Sequence, residues 1–280
     1  MAKNKPVYAF EKADSKKKML LGGKGAGLSE MTRLKLPVPP GFTITTEVCN
    51  KYYDNNGKLP KDVMPAVMKN ITKMEKKTGK KWNSTKNPLL VSVRSGAAIS
   101  MPGMMDTILN LGLNEKTVEG FAEQTKNPRF SWDSYRRFIQ LFGKVVFGVN
   151  DEKFDHVLDD AKEKQGVTDD SKLSVESLKS IVSKYKKICE EHTKRKFPDT
   201  PDEQLVLSIE AVFKSWMGER AIVYREKNNI TKDIANGTAV NVVTMVFGNM
   251  GDDSATGVVF TRNGHNGKKE IEGEYLINAQ

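Results

Sequence analysis

Apolar side chains change their spacing twice along this chain. Residues 60–78 carry Val63, Val67, Ile71 and Met74 at intervals of three and four, which places them on one face of a helix. The pattern is shorter on either side. VPPGFTITT reads as a loop entering a strand, because Pro39, Pro40 and Gly41 cannot continue a helix while Phe42, Ile44 and the threonines favour the pleat. LLVSVRSG reads as a buried strand ending in a turn of small residues, Ser95, Gly96 and Ala97.

Residues 114–198 are poor in glycine and read as three or four helices, with Asn114 and Ser131 in cap positions. Ser174 precedes the clearest period in the chain. Val175, Leu178, Ile181, Val182, Tyr185, Ile188 and Cys189 make one apolar stripe there, read as core packing with Cys189 as an inert small hydrophobe. A helix over 202–227 carries Leu205, Ile209, Val212, Phe213 and Trp216. The period then becomes two over 238–247, 256–262 and 269–279, and this predicts a small antiparallel meander. The last run reaches Gln280 with a strand in progress, so a C-terminally incomplete domain is expected.

Charge adds a direction. The 280 residues hold 45 Lys+Arg against 35 Asp+Glu, and the excess is concentrated at the start: residues 1–113 carry 20 basic and 8 acidic side chains. That balance predicts an anionic ligand, whether nucleotide phosphates, nucleic acid or an acidic protein face. No apolar run is long enough for a membrane helix, and the first residues lack the apolar core of a signal peptide. Two cysteines, Cys49 and Cys189, and three histidines form no metal-ligand spacing or triad. An intracellular, reduced, cytoplasmic protein is expected.

Three stretches could carry chemistry. LGGKGAGLSEM (21–31) sets glycines around Lys24 before a helix-friendly run; glycine lets backbone N–H groups approach an anion. It lacks the Ser or Thr after the lysine that a Walker A loop requires, so it reads either as a phosphate site or as a plain loop-to-helix turn. LLVSVRSGAAISMPGMMDT (89–107) delivers Arg94 to a strand end beside Gly96, then runs into a mobile-looking loop of Pro102, Gly103, Met104 and Met105. Such an arginine grips a phosphate or pairs with a carboxylate. In GNMGDDSATGVVFTRN (248–263), Gly251 to Ser254 read as a hairpin turn and Thr256 and Gly257 open the next strand. Backbone donors there could cover phosphates, or the segment is an ordinary hairpin.

Taken in this order, the three stretches resemble the N-terminal part of the pyruvate, phosphate dikinase family, from about Val7 to Gln280. LLVSVRSGAAISMPGMMDTILNLGLN is the most specific segment, supported by LGGKGAGLSEMT, NPRFSWDSYRRFIQLF, GTAVNVVTMVFGN and GEYLINAQ. The sister phosphoenolpyruvate synthases share the first two motifs but not usually the MPGMMDT continuation, so they are the alternative.

The resemblance implies an α+β ATP-grasp nucleotide-binding domain with an inserted helical subdomain. Residues 1–113 and 199–236 would form a first lobe, 114–198 the insertion, and 237–280 the start of a second lobe. It implies that Lys24 and Arg94 bind ATP phosphates with Gly96, and that the loop of Gly103, Met104 and Met105 and the hairpin of Thr256 and Gly257 close over them. Thr244 and Met245 would border the adenine. It further implies Mg²⁺ entering with ATP on ligands after Gln280, inorganic phosphate as co-substrate, a separate swivelling phosphohistidine domain as partner, and a homo-oligomeric full-length enzyme. A basic nucleic-acid-binding module is the rival from another class, though aromatics are not interleaved with the basic residues.

Overall fold

The computed structural model describes residues 4–279. Strand β1 (Val7–Ala9) leads to helix α1 (Lys18–Arg33), β2 (Gly41–Ile44), α2 (Thr46–Asp54), α3 (Val63–Thr78), β3 (Val91–Ala97) and β4 (Thr107–Leu111). Helices α4 (Glu115–Thr125), α5 (Pro128–Phe147), α6 (Glu152–Gln165), α7 (Val175–Thr193), α8 (Pro201–Ser215) and α9 (Glu219–Lys227) follow. The chain closes with β5 (Thr238–Thr244), β6 (Ala255–Phe260) and β7 (Glu272–Ile277). Helices and antiparallel sheet are mixed in the α+β manner expected. The main sheet has the order β1-β2-β5-β3-β4, and β6 and β7 pair separately.

The sheet alternates chemically rung by rung. One rung runs Ala9, Phe42, Val242, Val93, Ile108 across all five strands, and every member is buried. Each large apolar member contributes about 1.5–3 kcal/mol on burial. The adjacent rung runs Tyr8, Thr43, Asn241, Arg94, Thr107. Successive side chains on a strand point to opposite faces, so this polar rung lies on the other face, where α1 packs. A Cβ on Gly25 of α1 would come 2.7 Å from Thr43 Oγ1 and 2.9 Å from Asn241 Oδ1. Apolar residues of α3 and α8, among them Val67, Ile71, Leu205 and Ile209, join the core of the apolar rung.

Several expectations change. β5 is not part of a meander with β6 and β7; it lies between β2 and β3 in the main sheet. Its run Ala239-Val240-Asn241-Val242 has one apolar and one α1-facing side, and the partners for both are far away in sequence. Ser95, Gly96 and Ala97 remain in β3, paired with Val240, Ala239 and Thr238, and do not form a turn. The expected helix over 202–227 breaks between α8 and α9 at Trp216-Met217-Gly218, where Gly218 turns extended. Ser131 is buried inside α5, whose cap is Asn127: its side chain accepts from the Phe130 amide, with Pro128 in the first turn. β7 ends at Ile277, with Asn278 at φ 50°; Gln280 lies outside the described residues.

Four helices, α4 to α7, occupy 115–193. Asn114 forms a capping box with Thr117, and Ser174 accepts from the Ser177 amide. The stripe of α7 is buried at Leu178, Ile181, Val182, Tyr185 and Cys189, where burial pushes the Cys189 thiol up to about 12. That keeps it an unreactive thiol, as expected. Apolar burial continues without a break from the sheet into these helices.

The glycine-lysine stretch is helical, not a loop. Only Gly22 leaves the helical region, at φ 69° and ψ 166°, and it kinks α1 there. A Cβ at that point would lie 1.7 Å from Gly96 O. Gly22→Ala should therefore cost about 3 kcal/mol or more, from the left-handed φ and the backbone overlap together. A methyl group on Gly27 would meet nothing within 4 Å, and Gly27→Ala should gain about 0.5–1 kcal/mol through helix propensity. Urea denaturation of the two variants checks the contrast; similar losses in both would refute the packing account.

Candidate functional site

The kink at Gly22 restarts α1 at Gly23 and Lys24, directly over the end of β3. Amides at the start of a helical segment lack intrahelical acceptors and favour an anion. Between this restart, the end of β3 and the segment 99–107 lies a cleft of about 530 Å³. Lys18, Gly23 and Lys24 line one wall, Ser95, Gly96 and Ala97 the floor, and Ser100, Gly103, Met105 and Thr107 the far side. Arg94 stands at its margin, next in the chain to Ser95 and paired across the ladder with Thr107.

Lys24 and Arg94 arrive together on the α1 face. Arg94 sits in the polar rung between Asn241 and Thr107. Two residues further along β3, Gly96 leaves the same face clear for the lysine stem: a Cβ on it would meet Lys24 Cβ at 3.3 Å. The Lys24 ammonium donates to Ser95 O at 3.0 Å. Lys24 is exposed as a residue, but its ammonium end is folded down onto the strand and loses part of its water. That desolvation, and then the charge of Arg94, hold its pKa below the ordinary lysine value. Among the described residues no carboxylate pairs with either. Arg94 has no hydrogen-bond or ion-pair partner among the described residues. The alternative of a structural arginine paired with a carboxylate is thus not what the structure shows. Two cations meet at one cleft and lack a counter-charge, the electrostatic signature of a polyanion site.

The loop after β3 forms the rim. Gly103, at φ 71°, and Met105 face the cleft, while Met104 turns outward into a groove with Arg220, Val223 and Tyr224 of α9. Arg220 donates to Gly103 O at 3.4 Å and lies 3.6 Å from the Asp106 carboxylate.

The remaining expected residues lie elsewhere. Thr244 and Met245 are buried at the opposite end of β5: Thr244 pairs with Val91 and donates to Pro40 O, and the Met245 amide donates to Leu90 O. Thr256 and Gly257 line a separate groove on the β6–β7 hairpin with Glu274 and Tyr275. The cleft lining therefore gathers Lys24, Gly96, Gly103 and Met105, with Arg94 beside it and close enough for its charge to act on Lys24, and leaves Met104, Thr244, Met245, Thr256 and Gly257 outside. Sequence reading missed Lys18, Ser100, Thr107 and Asn241. Lys18 lies four residues before Gly22, one helical turn away, and that spacing was the available signal; Thr107 and Asn241 become visible only through strand register.

No group of three or more His, Cys, Asp or Glu able to hold a metal ion occurs among the described residues, and the charged groups at the cleft are cations. The cleft fits phosphate oxygens and does not fit a magnesium ion on protein ligands. No described helix is long and apolar enough to cross a membrane.

Comparison with known proteins agrees with this chemistry. A family model described as pyruvate phosphate dikinase, AMP/ATP-binding domain, matches residues 18–59 and 55–280. The chain is 55% identical over 274 residues to a pyruvate, phosphate dikinase of Entamoeba histolytica, covering 98% of this chain and 31% of that protein. It is 52% identical over 275 residues to that of Clostridium symbiosum, with the same coverage of 98% and 31%. It is 49% identical over 280 residues to the chloroplastic pyruvate, phosphate dikinase 1 of Arabidopsis thaliana, covering 99% and 29%. The chain thus spans about a third of the length of these curated relatives.

The depressed Lys24 pKa has a measurable sign. Below its depressed value the ammonium is charged in both folded and unfolded chains, and the folded state bears the whole penalty. As pH climbs from the depressed value towards 10.5 the unfolded chain holds more protons, so stability rises and this group's penalty is progressively relieved. Lys24→Met should therefore gain on the native protein at pH 7, with the gap closing as pH approaches 10.5. Urea midpoints measured across that range check it, and a gap that is constant with pH would contradict the assignment.

Proposed function

The chain belongs to the family described as pyruvate phosphate dikinase, AMP/ATP-binding domain, and we propose that it holds ATP for a dikinase reaction. In that reaction ATP, phosphate and pyruvate become AMP, diphosphate and phosphoenolpyruvate through a phosphohistidine on a separate swivelling domain. One observation carries the reading: Lys24 lines a cleft at the restart of a helix and beneath a glycine-methionine rim, and Arg94 at its margin adds a second, unpaired positive charge that acts on it.

Phosphoryl transfer asks little covalent chemistry of the protein and much positioning and charge neutralisation. Lys24 and Arg94 would neutralise phosphate oxygens, Arg94 through a two-pronged guanidinium contact. Amides at Gly23 and Lys24 would add neutral donors. The rim of Gly103 and Met105 would exclude water once phosphates are seated. Magnesium would enter with ATP and supply charge neutralisation between phosphates, on ligands outside the described residues.

The finer ATP-grasp reading makes the five-stranded sheet the first lobe, α4 to α7 an inserted subdomain, and the β6–β7 hairpin the start of the second lobe. Its support is the separation of that hairpin from the main sheet. In this reading Thr256 and Gly257 approach the phosphates from the second lobe, and Thr244 and Met245 line the way to the adenine. Inorganic phosphate and a homo-oligomeric full-length enzyme belong to the same reading. A cytoplasmic location is also part of it, supported by the unpaired, buried thiols of Cys49 and Cys189.

Isothermal titration with Mg·ATP tests the proposal. A hydrogen bond to a charged group is worth about 1.5–3 kcal/mol, so Lys24→Ala and Arg94→Ala should each weaken ATP by roughly tenfold to a hundredfold. Unchanged affinity in both variants would refute it.

A further inference from the structure

The two cations need a reason to remain uncompensated, and the neighbour that decides this is Asn241. It lies directly across from Arg94 in the β3–β5 ladder, so their Cβ atoms are about 4.5–5.5 Å apart on one face. It is fully buried. Its Oδ1 accepts from Thr43 Oγ1 at 2.8 Å, and its Nδ2 has no hydrogen-bond partner. That free amide end leans towards the lysine: a Cβ on Gly96 would lie 2.7 Å from Asn241 Nδ2 and 3.3 Å from Lys24 Cβ. An aspartate of the same size here would set a negative charge across the ladder from Arg94 and beside the stem of Lys24. The chain carries the neutral isostere, and accepts an unsatisfied buried donor with it.

The other nearby carboxylate is diverted. Asp106 precedes Thr107, the residue on the other flank of Arg94. Its charge interactions are with Arg220 and Lys144, not with Arg94 or Lys24, and its carboxylate sits 3.6 Å from Arg220.

We propose that Asn241 is a specificity-determining residue: its neutrality keeps Lys24 and Arg94 uncompensated, so the cleft selects ligands carrying a chain of phosphates over ligands with little charge. The inference rests on the phosphate-binding reading above. Asn241 acts through the two cations and touches no ligand itself, being sealed beneath α1.

Asn241→Asp and Asn241→Ser separate charge from packing. Aspartate keeps the oxygen that accepts from Thr43 and replaces the unpaired donor with a charge facing Lys24 and Arg94. Its apo protein should melt no lower than the native chain. Its affinity for Mg·ATP and for tripolyphosphate should fall about tenfold or more, since neighbouring charge is what the ligand would have supplied. Asn241→Ser, small and neutral, should hold both affinities within about threefold of native. An aspartate variant that melts well below native, or that fails to fold, would overturn the proposal, because the cations would then not reach position 241. A serine variant losing as much affinity as the aspartate would also overturn it, by showing that packing matters and charge does not. If the native protein itself binds neither ATP nor tripolyphosphate, the phosphate reading fails; the melting comparison of apo proteins is read without ligand and still tests the charge relation.

Discussion

Two like charges held side by side, with no anion between them, are the constraint on which the cleft depends. Near a protein surface, unit charges ~4–8 Å apart repel by roughly 2–4 kcal/mol, and solution ions screen only part of this when one partner is desolvated. The Lys24 ammonium shows the strain as a lowered proton affinity, from burial first and Arg94 second. Such an arrangement persists only where the surroundings fix the backbone independently. The apolar rung of Ala9, Phe42, Val242, Val93 and Ile108 does this from the opposite face. Arg94 is next to Val93 in the chain, so fixing the buried valine fixes where the guanidinium emerges.

This coupling also explains how much of the fold is legible in the chain alone. The alternation Val91-Ser92-Val93-Arg94 marks a strand with one apolar side, and α3 covers almost the range that its spacing predicts. What the spacing does not reveal is which strands are neighbours. β5 joins β3 across more than 140 residues, and period two specifies a face without specifying a partner. β4 escapes notice because a glycine and methionine run precedes it and Asn110 interrupts it at φ 60°. The site is legible in its charges, Lys24 and Arg94, only once the motifs are read together, since each alone also fits a plain turn or a structural arginine. Its neutral members are not. Thr107 and Asn241 become significant only when the register places them on either side of Arg94.

Glycine in the first motif is informative for a different reason from the one its spacing suggests. A phosphate loop uses glycine to bend; here Gly23, Gly25 and Gly27 are helical, and Gly22 alone bends. The absence of a side chain at Gly25 and Gly96 lets α1 lie close against the polar rung. Close approach carries the Lys24 ammonium within 3.0 Å of the strand backbone at Ser95. The same glycines thus bring the cation to its place without themselves wrapping an anion. Helix packing and ligand chemistry are one requirement at this seam.

The hairpin of β6 and β7 stands in contrast to that rigid floor. Val259, Phe260, Ile271 and Leu276 are all more than half exposed, and a two-stranded ribbon is marginal in water without cover. It is rooted by Phe247, whose ring packs 5.4 Å from Phe121 and 5.2 Å from Phe130, and by a bond from Asn127 to Met250 O. The root is anchored in the helical core while the strands beyond it share no ladder with the main sheet. The floor beside Lys24 and Arg94 belongs to the main sheet, whereas Thr256 and Gly257 of the hairpin line a separate groove. In the proposed ATP-grasp reading, a polyanion bound there would relieve the repulsion and offer the hairpin's backbone donors a partner, so the unbalanced charge would favour closure. On the same reading an internal carboxylate at position 241 would weaken that driving force, and the proposed value of a neutral residue there lies in keeping the charge unbalanced rather than in stabilising the fold.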